Sequence, residues 1–268
     1  MSGVDLVIQG GGSNCVGLAA AAYELRRKRV VRRVAGTSAG GLVALALAFD
    51  VDAARLRAVL EHSLADNRLL DGDLGCFLSR YGWCRGDALR MTARNLVGEG
   101  ARLGDARTPV AVVVGDLYAR APRVLSSWAT PSVLVEDAAT ATAAIPGVFA
   151  AQEIRGLGVG NRLHVDGGVS MNFAMDLFDD QPDVPTVGIR PAPQRLGLRP
   201  VRDLKAYLWA LAGLRQWASD NAYRSGKAQT SIVDVPGGDG LDFSIAPVDI
   251  QHRWDAGIEA MRRAQLEA

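Results

Sequence analysis

The chain alternates short, β-branched apolar runs with longer stretches whose apolar residues recur every three to four positions. The short runs, at residues 5–9, 30–35, 109–115, 123–127, 162–165, 184–189 and 230–235, predict strands; the longer ones, at 16–27, 40–48, 51–64, 86–96, 135–142, 204–223 and 251–266, predict helices. Strand followed by helix, repeated along the chain, leads to an α/β fold with a mainly parallel sheet. No internal repeat or low-complexity linker interrupts the alternation. A 268-residue chain of 49% hydrophobic composition can bury a large core, so a single domain over 1–268 is expected.

Two strand-to-helix junctions carry chemistry. Gly36-Thr37-Ser38-Ala39-Gly40 joins the strand at 30–35 to the helix at 40–48. A strand entering a tight G-x-S-x-G turn and leaving as a helix is a nucleophile elbow, which lifts the serine hydroxyl out of the sheet and makes Ser38 the candidate nucleophile. Gly36 and Gly40 leave room for the sharp turn, and the helix N-terminus favours negative charge beside the serine. With glycine at 30 of 268 positions the pattern is weak alone, and an ordinary turn capped by serine would look the same. At the first junction Gly10-Gly11-Gly12 follows the strand at 5–9, and its backbone N–H groups can converge on an anion. A dinucleotide fingerprint fails here, because Cys15 stands at the third glycine position. A phosphate loop fails because no Gly-Lys-Ser/Thr follows. An oxyanion hole from the Gly11 and Gly12 N–H groups is the reading left.

A serine hydroxyl needs a base. Only His62, His164 and His252 are present; His62 and His252 fall in helical runs, and His164 shares the strand face of Asp166 by the period of two. Asp166 is the better candidate, since it ends a strand at Gly167-Gly168, where the backbone can approach closely.

Gly10-Gly11-Gly12, Gly36-Thr37-Ser38-Ala39-Gly40 and Asp166-Gly167-Gly168, in that order, resemble the three signatures of the patatin-like phospholipases. Residues 143–149 resemble the family's apolar segment before the aspartate strand. Asp242-Phe243-Ser244 with the helix after it is similar to the C-terminal pattern, so the resemblance spans nearly the whole chain. It implies a three-layer α/β/α sandwich and a Ser38–Asp166 dyad without a catalytic histidine. Gly10, Gly11 and Gly12 would form the oxyanion hole. A dyad of this kind needs Asp166 partly desolvated, because a carboxylate with its ordinary pKa near ~3.9 is a weak base. The chain departs from the family where the glycine signature usually continues with a variable residue, Arg or Lys, and Gly; here Ser13, Asn14 and Cys15 stand. A neutral amide in place of the cation predicts a less rigidly pinned turn. Cys15 at a helix start reads as a buried structural cysteine more readily than as a reactive thiol.

The resemblance implies a phospholipid or other acyl-ester lipid as substrate, with peripheral membrane contact. Acyl transfer to another acceptor and a catalytically weak binding protein are the alternatives. Two segments suit lipid contact: residues 69–85, as a mobile flap or a packed loop, and 204–217, as an interfacial helix or a face packed on the sheet. The net charge of +1 argues against a nucleic-acid partner. No cofactor is expected, and no metal either, since Asp71, Asp73 and Asp87 are too scattered for a calcium loop. The absence of a charged leader or a long apolar segment, with three cysteines in odd number, predicts a cytoplasmic protein, although export by a non-classical route would look the same.

Overall fold

The computed structural model describes residues 3–65, 68–72, 76, 80–157, 162–193, 222, 224–240 and 242–264. Among the described residues there are ten strands and six helices: β1 (Gly3–Ile8), α1 (Cys15–Lys28), β2 (Val30–Thr37), α2 (Ala39–Ala48), α3 (Ala53–Leu64), β3 (Gly82–Cys84), α4 (Asp87–Val97), β4 (Val110–Asp116), β5 (Ala121–Ser126), α5 (Val135–Thr142), β6 (Gly147–Phe149), β7 (Gln152–Glu153), β8 (Leu163–Asp166), β9 (Thr186–Pro191), β10 (Thr230–Val235) and α6 (Pro247–Arg263). The main sheet runs β10-β9-β1-β2-β4-β8-β7, with β5 also on β4. Its β10-to-β4 part is parallel, whereas β5, β7 and β8 pair antiparallel. This is the mixed α/β sheet between helical layers that the resemblance implies.

Strand periodicity builds the two faces. Leu6, Ile8, Val34, Val110, Val112 and Val114 point into the larger core beneath α1, α2 and α5, while Val7, Ala35 and Ala111 point the other way onto Phe173, Met175 and Phe178. Each Val, Leu, Ile, Phe or Met side chain among them contributes about 1.5–3 kcal/mol on removal from water. The chain order turns at β1, with β2 on one side and β9 on the other. Open α/β sheets bind ligands outside the strand C-termini at such a switch point. Both candidate junctions lie there.

α1 and α6 cross closely because small residues meet at the crossing. A Cβ on Gly257 would lie 2.1 Å from the Gly17 carbonyl oxygen and 2.9 Å from Ala20 Cβ. That contact brings Arg253, one turn earlier on α6, over the start of α1.

Most predicted elements match within two residues at their ends. The last helix begins four residues earlier than its apolar period suggests, at Pro247, because proline suits the first helical turn, where its missing N–H has no partner to lose. β3, β6 and β7, of two or three residues each, show no readable period. The helix expected at 204–223 lies outside the described residues but for position 222. Of the 69–85 segment, Leu74, Phe77 and Leu78 also lie outside them; the described parts are anchored. The Asp71 carboxylate accepts the backbone N–H groups of Gly86, Asp87 and Ala88, capping α4, and Gly72 bridges to Cys84. Cys15, Cys76 and Cys84 are buried and not disulfide-bonded. Burial pushes the Cys15 thiol up to about 12, so it stays protonated. Among the described residues no helix is long and apolar enough to cross a membrane.

Candidate active site

β2 delivers Ser38 in a strained conformation, φ 54° and ψ −129°, a region that costs a non-glycine residue about 1–3 kcal/mol. The surroundings hold it there. Ser38 N donates to Thr142 Oγ1 at 2.9 Å, and Thr142 Oγ1 donates to the Val113 carbonyl on β4 at 2.5 Å, tying the elbow to α5 and the sheet. A Cβ on Gly40 would lie 2.4 Å from the Gln9 carbonyl oxygen, and one on Gly36 2.3 Å from that of Gly40, so the turn closes only with glycine at both places.

Ser38 sits at the N-cap of α2 but makes no capping bond with its side chain. Its hydroxyl instead donates to Asp166 Oδ2 at 2.6 Å, across 128 residues of sequence. Asp166 stands at the end of β8, where Asp166 N donates to the Ala144 carbonyl and Oδ1 accepts the Gly168 N–H at 2.6 Å. Gly167 packs its backbone against the Val113 carbonyl, where a Cβ would come within 2.3 Å. Ser38 is 7% exposed and Asp166 4%. Burial pushes the Asp166 carboxyl up to about 7, against the hydrogen bonds from Ser38 and Gly168, which favour the charged form.

The glycine turn abuts the serine: a Cβ on Gly10 would lie 3.0 Å from Ser38 Cβ. Gly10 N–H donates to the Asn172 carbonyl at 3.3 Å. The N–H groups of Gly11 and Gly12 meet no acceptor among the described residues. Gly12 has φ +55° and lies so close to Gly240 that a Cβ would fall 1.9 Å from its carbonyl oxygen. The loop after β10 clamps the turn through Ser13 N–H to the Gly240 carbonyl at 2.8 Å and the Ser13 hydroxyl to the Asp239 carbonyl at 3.1 Å.

Asn14 holds the turn differently from the sequence expectation. Its amide donates to the Gly238 carbonyl at 3.2 Å and accepts the Gly238 N–H at 2.9 Å. The cation comes from α6: Arg253 Nη1 donates to the Ser13 carbonyl at 3.2 Å, to the Ser13 hydroxyl at 3.1 Å and to Asn14 Oδ1 at 3.5 Å. The neutral amide therefore leaves the turn pinned, not loose. Sequence reasoning missed Thr142, Asn172 and Arg253, because nothing local marks a threonine, an asparagine or an arginine that acts on a distant turn.

No histidine contacts Ser38 or Asp166 among the described hydrogen bonds. His164 is buried and faces Asp116, with Nε2 3.8 Å from Oδ2; burial pushes its imidazole down, against the pull of the Asp116 carboxylate, so it is neutral near neutral pH. His62 meets Arg68. A narrow apolar cavity of about 40 Å³ opens at Ser38 and is lined by Leu42, Leu60, Leu64, Leu89, Ile145 and Phe149, with Phe243 and Gly12 also on its wall.

The fold and site define an α/β protein whose serine is held on a strained elbow against a buried carboxylate, beside a glycine turn and an apolar cavity. The patatin-like phospholipase family model matches residues 6–179, and the chain belongs to that family, whose membership supports a lipid hydrolase function. A relative, the uncharacterized protein YqhO of Bacillus subtilis (strain 168), is 27% identical over 268 residues, covering 87% of either chain. Among solved structures, VipD from Legionella pneumophila aligns with a TM-score of 0.55 at 13% identity, over 97% of this chain and 66% of that one; the likeness is one of fold. ExoU in its complex with SpcU from Pseudomonas aeruginosa aligns with a TM-score of 0.47 at 16% identity, over 99% of this chain and 53% of that one. The chain thus spans between half and two thirds of the length of these two structures.

Proposed function

We propose that the protein is a serine acyl-ester hydrolase acting on phospholipids or related lipid esters. One observation carries the reading: the 2.6 Å hydrogen bond from the Ser38 hydroxyl to Asp166, at the mouth of an apolar cavity. Ser38 Oγ attacks the ester carbonyl carbon as its proton passes to Asp166 Oδ2. The tetrahedral oxyanion is stabilised by the Gly11 and Gly12 N–H groups, which hold no other acceptor among the described residues, and by the N-terminus of α2. Collapse expels the alcohol, which takes the proton from Asp166, and leaves Ser38 acylated. Water then attacks the acyl-enzyme while Asp166 accepts its proton, and collapse returns that proton to Ser38 and frees the fatty acid. A carboxyl with a pKa of about 7 is matched to this task near neutral pH, where an ordinary aspartate would be a poor acceptor.

The apolar cavity wall supports an acyl chain as the group held next to Ser38. Peripheral contact with a lipid surface belongs to the same reading, supported by the exposure of Tyr81 (72%) and Trp83 (50%) on the segment that also carries Leu69 of the cavity wall. A fluorophosphonate probe tests the whole: peptide mass spectrometry is expected to find the adduct on Ser38, and a short p-nitrophenyl ester to release its phenol with competition between ester and probe. Labelling elsewhere, or phenol release unaffected by the probe, would refute it.

Arg253 acts on this reaction through the glycine turn. Arg253→Met, which keeps the stem and removes the charge, is expected to lower kcat roughly tenfold with KM little changed, as loss of a charge-assisted hydrogen bond that positions a donor should. Arg253→Lys should recover part of it. Equal loss in both variants, or a change confined to KM, would speak against positioning of the turn.

A further inference from the structure

Two hollows meet at the seam between α3 and α4. One is the apolar cavity at Ser38; the other, about 470 Å³, opens on the outer side of the same helices and is lined in part by Arg55, His62, Met91 and Asn95. Three residues belong to both walls: Ser63 near the end of α3, Thr92 in the middle of α4, and Leu69 on the loop between them. All three are buried, so they form a septum.

The septum is closed by hydrogen bonding. Ser63 Oγ lies 3.0 Å from Thr92 Oγ1, and Thr92 Oγ1 donates to the Ala88 carbonyl at 2.9 Å, which leaves the Ser63 hydroxyl as donor to Thr92. The two hydroxyls thus satisfy one another and the helix backbone. They join α3 to α4 within the wall that the two hollows share, which Leu69 also lines. On the inner side the wall is apolar; on the outer side a more open groove begins, where Arg55, His62 and Arg68 stand among apolar side chains.

We propose that Ser63, Thr92 and Leu69 are specificity-determining residues that set the longest acyl chain the site accepts. The inference rests on the esterase reading and deepens it. A straight acyl chain esterified at Ser38 lies along the cavity with its methyl end against this wall, and a longer chain has to displace the wall to reach the outer groove. Removing volume from the wall joins the two hollows and gives the extra methylenes a path.

The test is kcat/KM for p-nitrophenyl butyrate, octanoate and palmitate. Thr92→Ala and Leu69→Ala are expected to raise the palmitate-to-octanoate ratio by about tenfold or more over wild type, the order of discrimination a hydrophobic pocket gives for a few methylenes. Thr92→Val, which keeps the volume and removes the hydroxyl, is expected to leave the ratio unchanged, while Thr92→Leu shifts preference toward butyrate. Leu69→Ala, on a loop, reads the same wall should Thr92→Ala fail to fold. A ratio that stays at the wild-type value in Leu69→Ala and Thr92→Ala, with turnover still lost in Ser38→Ala, would overturn the length wall and leave the esterase reading intact. Turnover that survives Ser38→Ala would overturn the esterase reading, and the wall with it.

Discussion

Ser38→Ala is expected to lower kcat/KM for ester hydrolysis by about 10⁴- to 10⁶-fold, the range seen when a serine nucleophile is removed from a site whose other parts remain. The loss should be almost all in kcat, because the cavity that holds the acyl chain keeps its walls. The protein should still fold, since Ser38 contributes its main-chain geometry more than its hydroxyl to the elbow: the bonds from Ser38 N to Thr142 and from Gly41 N to the Ser38 carbonyl survive the change. Alanine inherits the strain of φ 54°, and glycine does not. Ser38→Gly should therefore be equally inactive yet melt above Ser38→Ala by an amount corresponding to about 1 kcal/mol. Residual activity above about a tenth of wild type in both variants would place the attacking group elsewhere.

Asp166→Asn is expected to cost about 10³- to 10⁴-fold in kcat, because an amide cannot take the serine proton while it still fills the space. The wild-type pH dependence belongs to the same prediction. Asp166 must be ionised to act as a base, so kcat/KM should rise about tenfold per pH unit up to about pH 7 and level off above it. Stability should run the opposite way. The folded protein holds a proton on Asp166, with its pKa raised to about 7, that the unfolded chain releases near the ordinary carboxylate value of 3.8. The contribution of this group to stability is therefore complete below that value, declines as pH rises through the window between the two, and is flat above about 7. An uncharged amide at this position carries no such penalty, so Asp166→Asn should melt higher than wild type at about pH 8, with the advantage fading toward about pH 4. Thermal melts of both proteins across this range, beside the rate profile, decide it; a flat kcat/KM between about pH 5 and pH 8 would show that Asp166 is not the group whose ionisation matters.

The ion pairs elsewhere in the molecule do not compete for this role. Glu136 and Asp137, buried at the start of α5, face Arg90, Arg94 and Arg155, and the Arg94 guanidinium first among them holds the Glu136 carboxyl below its usual range. Asp5 is matched by Arg33 and Lys227 at the opposite end of β1 from the glycine turn. These carboxylates are neutralised by cations, whereas Asp166 is buried against a hydroxyl and a backbone N–H. Burial without a cation to offset it drives the Asp166 carboxyl up, while the Arg94 guanidinium holds the Glu136 carboxyl low.

Much of the fold was legible in the chain because its causes are local. Alternation of period two at 110–116 and helical recurrence at 135–142 follow from how neighbouring side chains project from their own backbone, and α5 and β10 appear with the bounds their patterns predict. Gly36 and Gly40 announced a turn too tight for any side chain, and the order of the three glycine-bearing motifs along the chain carried the family resemblance that the family model matches. The two- and three-residue strands were not legible, since so few residues establish no period, and Pro247 drew the last helix back beyond its apolar stripe.

By itself, then, the sequence determined the alternation of elements, the two glycine turns and the serine between them, because each depends on residues within a few positions of one another. Tertiary structure alone decided that the Ser38 hydroxyl meets Asp166 across 128 residues, that the cation facing the glycine turn comes from Arg253, 239 residues from Asn14, and that Ser63, Thr92 and Leu69 line both the apolar cavity at Ser38 and the hollow outside it. Those contacts, and the raised pKa of Asp166 that burial produces, exist only once the sheet has closed and water has been excluded, because desolvation and proximity are properties of packed surfaces and not of any local stretch of chain.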